Sequence, residues 1–228
     1  MFTSSTMRRI AVFYDGSFFD NMNRYYLYSH TRHQPIDLKG FHEYIRYKVA
    51  HYETSDNVSL CQIVESHFFR GRFSLESVQA LDDPTKRLVL DRRLDQNLMY
   101  AGIVTHYYPM NEYVDPPEEK GIDVWLALEA YDLAIHKGFD VLVLIAGDQD
   151  FVPLVRKINS LGTRVMVIGV DFSVNSGSGR FVQKTSQRLL EESSYVAMIG
   201  EDVDDDPEGA NSVINSIFYD RGERERDR

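Results

Sequence analysis

The sequence predicts an α/β fold, a doubly wound and mostly parallel sheet with helices on both faces. Short apolar runs alternate along the chain with longer segments of helical period. The apolar runs are nearly continuous rather than alternating, as expected of strands buried on both sides. The clearest example is VLVLIAGDQDF, Val141 to Phe151, which passes from an apolar strand into two carboxylates and then a helical pattern.

In chain order, residues 9–14 (RIAVFY), 60–68, 104–108, 141–145 and 164–170 read as strands, and 195–199 as a sixth. Helical patterns fall over 38–52, 84–100 and 118–137. A further helix follows the GDQD motif, where Phe151, Leu154, Val155 and Ile158 recur at i, i+3, i+4 and i+7 and Gly162 stands at the position of a C-terminal cap. Residues 70–83 have no strong period and read as an insertion or irregular connection. Asn175 to Gly179 (NSGSG) reads as a flexible loop.

The 228 residues suit a folded domain over 1–200 and an acidic, mobile tail over 201–228, in which Val213, Ile214, Ile217 and Phe218 could dock as a short helix. The net charge of −10 argues against nucleic acid only superficially: the last 28 residues carry ten acids and four bases, leaving −4 on the first 200. Clustered carboxylates account for part of that, and bound cations would neutralise them. No apolar run approaches the ~18–20 residues of a membrane span, so no membrane association and a cytoplasmic location are expected. A single cysteine, Cys61, rules out an internal disulfide or a cysteine-rich zinc site. No histidine pair has HExxH-type spacing. The aromatic surplus outside the sheet would support a homodimer.

In a doubly wound sheet, ligands bind outside the carboxyl ends of the strands. Asp15 ends the first strand, Asp148 and Asp150 end the strand at 141–145, and Asp123 falls in the first turns of the helix expected after Pro116-Pro117-Glu118-Glu119. Two like charges ~4 Å apart cost about 4 kcal/mol at an effective dielectric near 20, so converging carboxylates must take up a proton or a cation. An oxygen-only set suits Mg²⁺ or Mn²⁺. Simpler roles remain open: Asp150 as a helix N-cap, and Asp123 as an acid favoured by the helix dipole.

FYDGS (13–17), KGIDVWLALEAYDLA (120–134) and AGDQDFVPLVRKINSLGTRVMVIG (146–169), with SQRLL (186–190) before Tyr195-Val196, resemble the NYN domain family of the PIN-like nuclease superfamily, especially its bacterial LabA-like branch. The resemblance covers about half the chain. It implies a three-layer α/β/α sandwich, PIN-like and broadly Rossmann-like, with a divalent-metal pocket and RNA hydrolysis. By motif, Asp15, Asp123 and Asp148 would be the principal acids and metal ligands, and Asp150 a supporting one. Many members carry an Asn soon after the first Asp-Gly, where this chain has Ser17-Phe18-Phe19-Asp20-Asn21.

The expected activity is therefore Mg²⁺- or Mn²⁺-dependent cleavage of RNA. The alternative is a non-catalytic module that binds RNA or a phosphorylated ligand in the same acidic pocket. Ser17 or Asn21 would supply the missing polar contact, or Ser17 is a plain turn serine. Lys120 would approach phosphate, or is simply solvated. Arg180, Lys184 and Arg188 recur every four residues and would form a basic stripe if helical. Arg70, Arg72, Arg92, Arg93, Arg156 and Lys157 are further cations for RNA, and Phe18, Phe19, Tyr25, Tyr26 and Tyr28 would offer stacking faces. Asp-x-Asp phosphatases, adhesion-type metal sites, dinucleotide folds and P-loop NTPases are disfavoured, because position 17 is Ser, position 19 is Phe, and neither glycine-rich phosphate loop occurs.

Overall fold

The computed structural model describes residues 6–176, 179–207 and 209–219. Six parallel strands form the central sheet: β1 (Arg8–Asp15), β2 (Cys61–Arg72), β3 (Val104–Pro109), β4 (Val141–Ile145), β5 (Arg164–Gly169) and β8 (Tyr195–Met198), in the order β3-β2-β1-β4-β5-β8. A two-stranded antiparallel hairpin, β6 (Phe172–Ser176) with β7 (Gly179–Gln183), stands apart from it.

Successive side chains of a strand point to opposite faces, and here both faces are covered. Ile10, Val12 and Tyr14 of β1, with Val141, Val143 and Ile145 of β4, enter one core with α1 (Gly16–Tyr28) and α2 (Leu38–Glu53). Ala11, Phe13, Leu142 and Leu144 enter a second core with α5 (Ile122–Lys137), α6 (Val152–Ser160) and α7 (Gln187–Glu192). The result is the three-layer α/β/α sandwich. From β1 the chain builds outward through β2 and β3, then crosses to β4 on the other side of β1. Strand order reverses at this pair, and Asp15 and Asp148 follow its two carboxyl ends.

Helix α1 does not stand out in the sequence, because its first turns are rich in aromatic residues. Its Phe18, Phe19 and Tyr26 are buried core residues rather than stacking platforms for RNA, Tyr25 stacks on Phe172 at 4.2 Å, and only Tyr28 projects freely. The helix turns away immediately after β1 because residue 16 is glycine: a Cβ there would lie 2.4 Å from the Phe69 carbonyl oxygen.

Three expectations are corrected. Helix α5 starts at Ile122 and not 118, since Glu118 is held in an extended bridge to Asn111 and Gly121 adopts φ +85 just before the first turn. The basic stripe does not form, because Arg180 lies on strand β7 and α7 begins only at Gln187, leaving Lys184 between them. Val174, Phe181 and Val182 favour the hairpin over the helix that the charge spacing suggested. Part of the NSGSG segment, residues 177 and 178, lies outside the described residues.

The third correction concerns the segment from 201. Through Tyr219 its described residues pack on the body and do not form a solvated tail: α8 (Ile199–Asp204) buries Val203, and α9 (Ser212–Ser216) lies on α2. Asp202 accepts hydrogen bonds from Tyr44 Oη at 2.5 Å and Lys48 Nζ at 2.6 Å. Ile217 and Phe218 are buried, Phe218 bridges Ile36, and its ring meets Tyr26 edge-on at 5.0 Å. Residue 40 of α2 must be glycine for this docking, as a Cβ would fall 1.5 Å from the Ser216 carbonyl oxygen. The remainder, 220–228, lies outside the described residues.

Between α2 and β3 the chain adds α3 (Leu75–Gln79) and α4 (Pro84–Tyr100), so the irregular 70–83 segment resolves into the end of β2 and one short helix.

Candidate active site

Asp15 is the N-cap of α1. Its Oδ1 accepts Ser17 N at 3.0 Å, Ser17 Oγ at 2.9 Å and Phe18 N at 3.2 Å, so one oxygen is committed to the turn and Oδ2 receives none of these bonds. Asp148 repeats the arrangement: its Oδ1 accepts Asp150 N at 2.9 Å and caps the 3₁₀ turn Gln149–Phe151 that leads into α6. The capping role weighed for Asp150 therefore belongs to Asp148, and Asp150 sits exposed within the turn. Asp123 lies in the first turn of α5, which has no side-chain cap.

These acids are electrostatically coupled. The Asp123 carboxyl is pushed up to about 6 by loss of hydration and by the charges of Asp15, Asp148 and Asp150. Burial raises Asp15 above its ordinary value, against the opposing hydrogen bonds from Phe18 and Ser17, and the Glu119 charge raises it further. Glu119 is a member of the site that the sequence reading took only as a helix-start signal. Its Oε1 accepts the Gly71 N–H at 2.8 Å, which fixes it at the end of β2. The acid-Lys-Gly-Ile-Asp spacing from 119 to 123 is the signal that could have found it.

An open cleft of about 760 Å³ lies alongside, lined by Asp15, Ser17, Phe18, Asn21, Asp148, Asp171 and Lys184, among others. Both candidates for the polar contact after Asp-Gly, Ser17 and Asn21, thus reach it. Asp20 does not line it and pairs instead with Arg24 at 3.2 Å and Arg70 at 3.1 Å. Lys184 brings a cation to the cleft. Arg180 does not line it: its Nε donates to Ser173 Oγ at 2.7 Å across the hairpin. Lys120 is exposed on the loop before α5. Arg156 pairs with Glu192 at 3.0 Å, while Arg70 and Arg93, with Arg24 and Arg87, line a separate groove of about 370 Å³ between α1 and α4.

The donor set consists of carboxylate oxygens, with no cysteine or histidine among the four aspartates and Glu119, which is the chemistry of a hard divalent cation. Among the described residues no group of three or more His, Cys, Asp or Glu is arranged to hold a metal ion.

A parallel α/β/α sandwich whose acids gather where strand order reverses is the architecture of the PIN-like nucleases. The chain belongs to one of their families, the NYN domain family, which it matches over residues 9–195. NYN domains are nuclease-type, RNA-related domains. The chain is 26% identical over 120 residues to an uncharacterised protein of Methanocaldococcus jannaschii, a match covering 52% of this chain and 45% of that relative, so it spans less than half the relative's length. A crystal structure of a protein of unknown function from Vibrio parahaemolyticus superposes with a TM-score of 0.52 at 21% identity, over 87% of this chain and 96% of that one, and shares its fold. No helix among the described residues is long and apolar enough to cross a membrane.

Proposed function

We propose that the chain is a divalent-metal-dependent endoribonuclease that hydrolyses RNA phosphodiester bonds at the carboxyl edge of β1 and β4. Asp15, Asp123 and Asp148 would hold Mg²⁺ or Mn²⁺, with Asp150 and Glu119 supplying further negative charge. When bound, such an ion supplies charge neutralisation at the scissile phosphate and Lewis-acid activation of water. The chain's own residues provide positioning. Ser17 and the Phe18 amide fix the Asp15 carboxylate through Oδ1, the Asp150 amide does the same for Asp148, and both keep Oδ2 for the site. Lys184 offers a phosphate contact across the cleft, and Ser17 or Asn21 a hydrogen bond to substrate or water.

The observation that carries this reading is the electrostatic contact of Asp123 with Asp15, Asp148 and Asp150, whose charges add to loss of hydration, the larger cause, in pushing its carboxyl up to about 6. A carboxyl that keeps its proton into the weakly acidic range beside other carboxylates can exchange it for a cation. Cleavage of end-labelled structured and single-stranded RNAs with Mn²⁺ or Mg²⁺, beside EDTA and Asp148→Asn, is the test. Products that require both the metal and Asp148 are expected; products that survive both would end the assignment.

A second reading, a non-catalytic RNA- or phospholigand-binding module, draws on the lack of a ready three-ligand group among the described side chains. It expects RNA binding with no new products in the same assay.

A further inference from the structure

Helix α1 joins two recesses of the surface. Ser17 and Asn21 line the acidic cleft, whereas Arg24 and Tyr28 line the groove of about 370 Å³ against α4. These four positions fall at i, i+4, i+7 and i+11, which is one face of a helix, and none of them is buried. A strand laid along that face passes from cleft to groove within about 10 Å, the rise from Ser17 to Arg24, or about three stacked nucleotides.

The groove is basic although the chain carries a net charge of −10. Its lining holds four arginines, Arg24, Arg70, Arg87 and Arg93, against two acids, Asp20 and Asp91. Each acid is shared: Asp20 by Arg24 at 3.2 Å and Arg70 at 3.1 Å, Asp91 by Arg87 at 3.2 Å and, outside the groove, by Arg72 at 3.0 Å. Arg93 has no ion pair among the described residues. An excess of two positive charges therefore remains in the lining, and its exposed members are Arg24 and Arg93. The pairing of Arg24 does not withdraw it, because an ion pair at so exposed a side chain is weak and gives way to a phosphate.

Beside these cations the Tyr28 ring is 71% exposed, and Leu27, Leu90 and Leu94 give the groove apolar surface. Guanidiniums that track a backbone beside an open aromatic face are the means by which single-stranded nucleic acid is held. A recess of this volume admits a group the size of a small ligand, such as one nucleotide, and not a duplex. We propose that this groove is a second RNA subsite that grips the single-stranded segment flanking the scissile bond, with Arg24 and Arg93 on phosphates and Tyr28 stacked on a base. The subsite rests on the nuclease reading for what occupies the cleft, and it selects single-stranded over duplex RNA.

The test is fluorescence anisotropy of the whole chain with a labelled single-stranded RNA dodecamer, in EDTA so that nothing is cut. Arg24→Ala with Arg93→Ala should weaken binding at least tenfold and reduce the salt slope by about 1.4, two phosphates at ~0.7 each. Tyr28→Ala should weaken the single strand about tenfold and leave its salt slope unchanged. Lys39→Ala, which removes an exposed cation from α2, should change neither. No binding by the wild type, equal affinity for a duplex of the same sequence, or binding indifferent to the groove variants would overturn the subsite. A parallel assay with Mn²⁺ separates it from the nuclease reading. Arginine-dependent binding without cleavage would retire the nuclease and keep the subsite as an RNA-binding groove, and cleavage with binding indifferent to Arg24, Arg93 and Tyr28 would do the reverse.

Discussion

The two ends of the central sheet treat their carboxylates in opposite ways. At the amino edge, Glu53 is 5% exposed and surrounded: Arg8 Nε approaches at 3.2 Å, Arg164 Nη2 donates at 2.8 Å and Tyr195 Oη at 2.7 Å. Asp140 beside it accepts the Arg9 amide at 2.7 Å. At the carboxyl edge, Asp15, Asp148 and Glu119 are held by backbone amides and a serine, and Asp15, Asp123 and Asp148 have no ion pair among the described residues. The first edge resolves its buried charge within the fold. The second holds charge that the fold leaves without an ion pair, and that difference is what favours the carboxyl edge as the proposed site.

The contrast breaks most sharply through activity. Asp148→Asn should lower metal-dependent RNA cleavage by roughly a hundredfold or more, the scale of losing one group that stabilises transition-state charge. Glu53→Gln, at the other edge, should leave cleavage per folded molecule unchanged. Its cost should appear in urea denaturation as a stability loss of roughly 2–3 kcal/mol, below the usual cost of breaking a fully buried pair because both arginines are partly exposed.

Next in size is the docking of the C-terminal segment on α2. Alanine for glycine inside a helix usually stabilises by about 1 kcal/mol, but Gly40→Ala should destabilise by about 1–3 kcal/mol, since the added methyl meets the Ser216 carbonyl. A rise in melting temperature would contradict that packing.

The acidic edge also sets a pH dependence. Asp123 in the folded protein titrates near 6, above its unfolded value near 4. The folded state therefore binds more protons between these values, and stability should fall as pH rises from about 4 to about 6. Because the side chain is exposed, screening limits the effect to about 1 kcal/mol. Asp123→Asn should recover that amount at pH 7, and Mg²⁺ should raise the melting temperature of the wild type more than that of the variant. The opposite slope in a thermal-melt series would remove the coupling.

Smallest is the cation in the cleft. Lys184→Ala should reduce the salt slope of RNA binding by about one unit, while Arg180→Ala, whose guanidinium is bound to Ser173, should change it little.

The six strands, α2, α4 and α6 were legible in the sequence because near-continuous apolar runs and 3.6-residue periods reflect burial directly. The placement of Asp15 and Asp148 at the carboxyl edge was legible for the same reason: one ends a buried strand and the other follows one. What escaped depended on contacts far along the chain. The Phe18-Phe19 pair suggested an exposed aromatic surface because nothing local records that Phe41 and Phe68 close over Phe19. Glu119 is brought to Asp15 by a hydrogen bond to Gly71, 48 residues away. The Arg180, Lys184, Arg188 spacing matched a helix, yet the hairpin prevailed. The apolar spacing of Val213, Ile214, Ile217 and Phe218 did allow a docked helix, but the acidic composition around it favoured a mobile tail, and nothing local records that Ile217 and Phe218 complete a core with Tyr26 and Phe41.

That last contact has a consequence for biosynthesis. Tyr26, Ile36 and Phe41 come early in the chain and share their core with Ile214, Ile217 and Phe218, some 180 residues later. A ribosome delivers the chain vectorially, so this side of the aromatic layer lacks its C-terminal cover until after the whole sheet has been made. The nascent protein would thus present an adhesive surface for most of its synthesis, and a chaperone that shields emerging aromatics would act on α1 and α2 until Phe218 arrives.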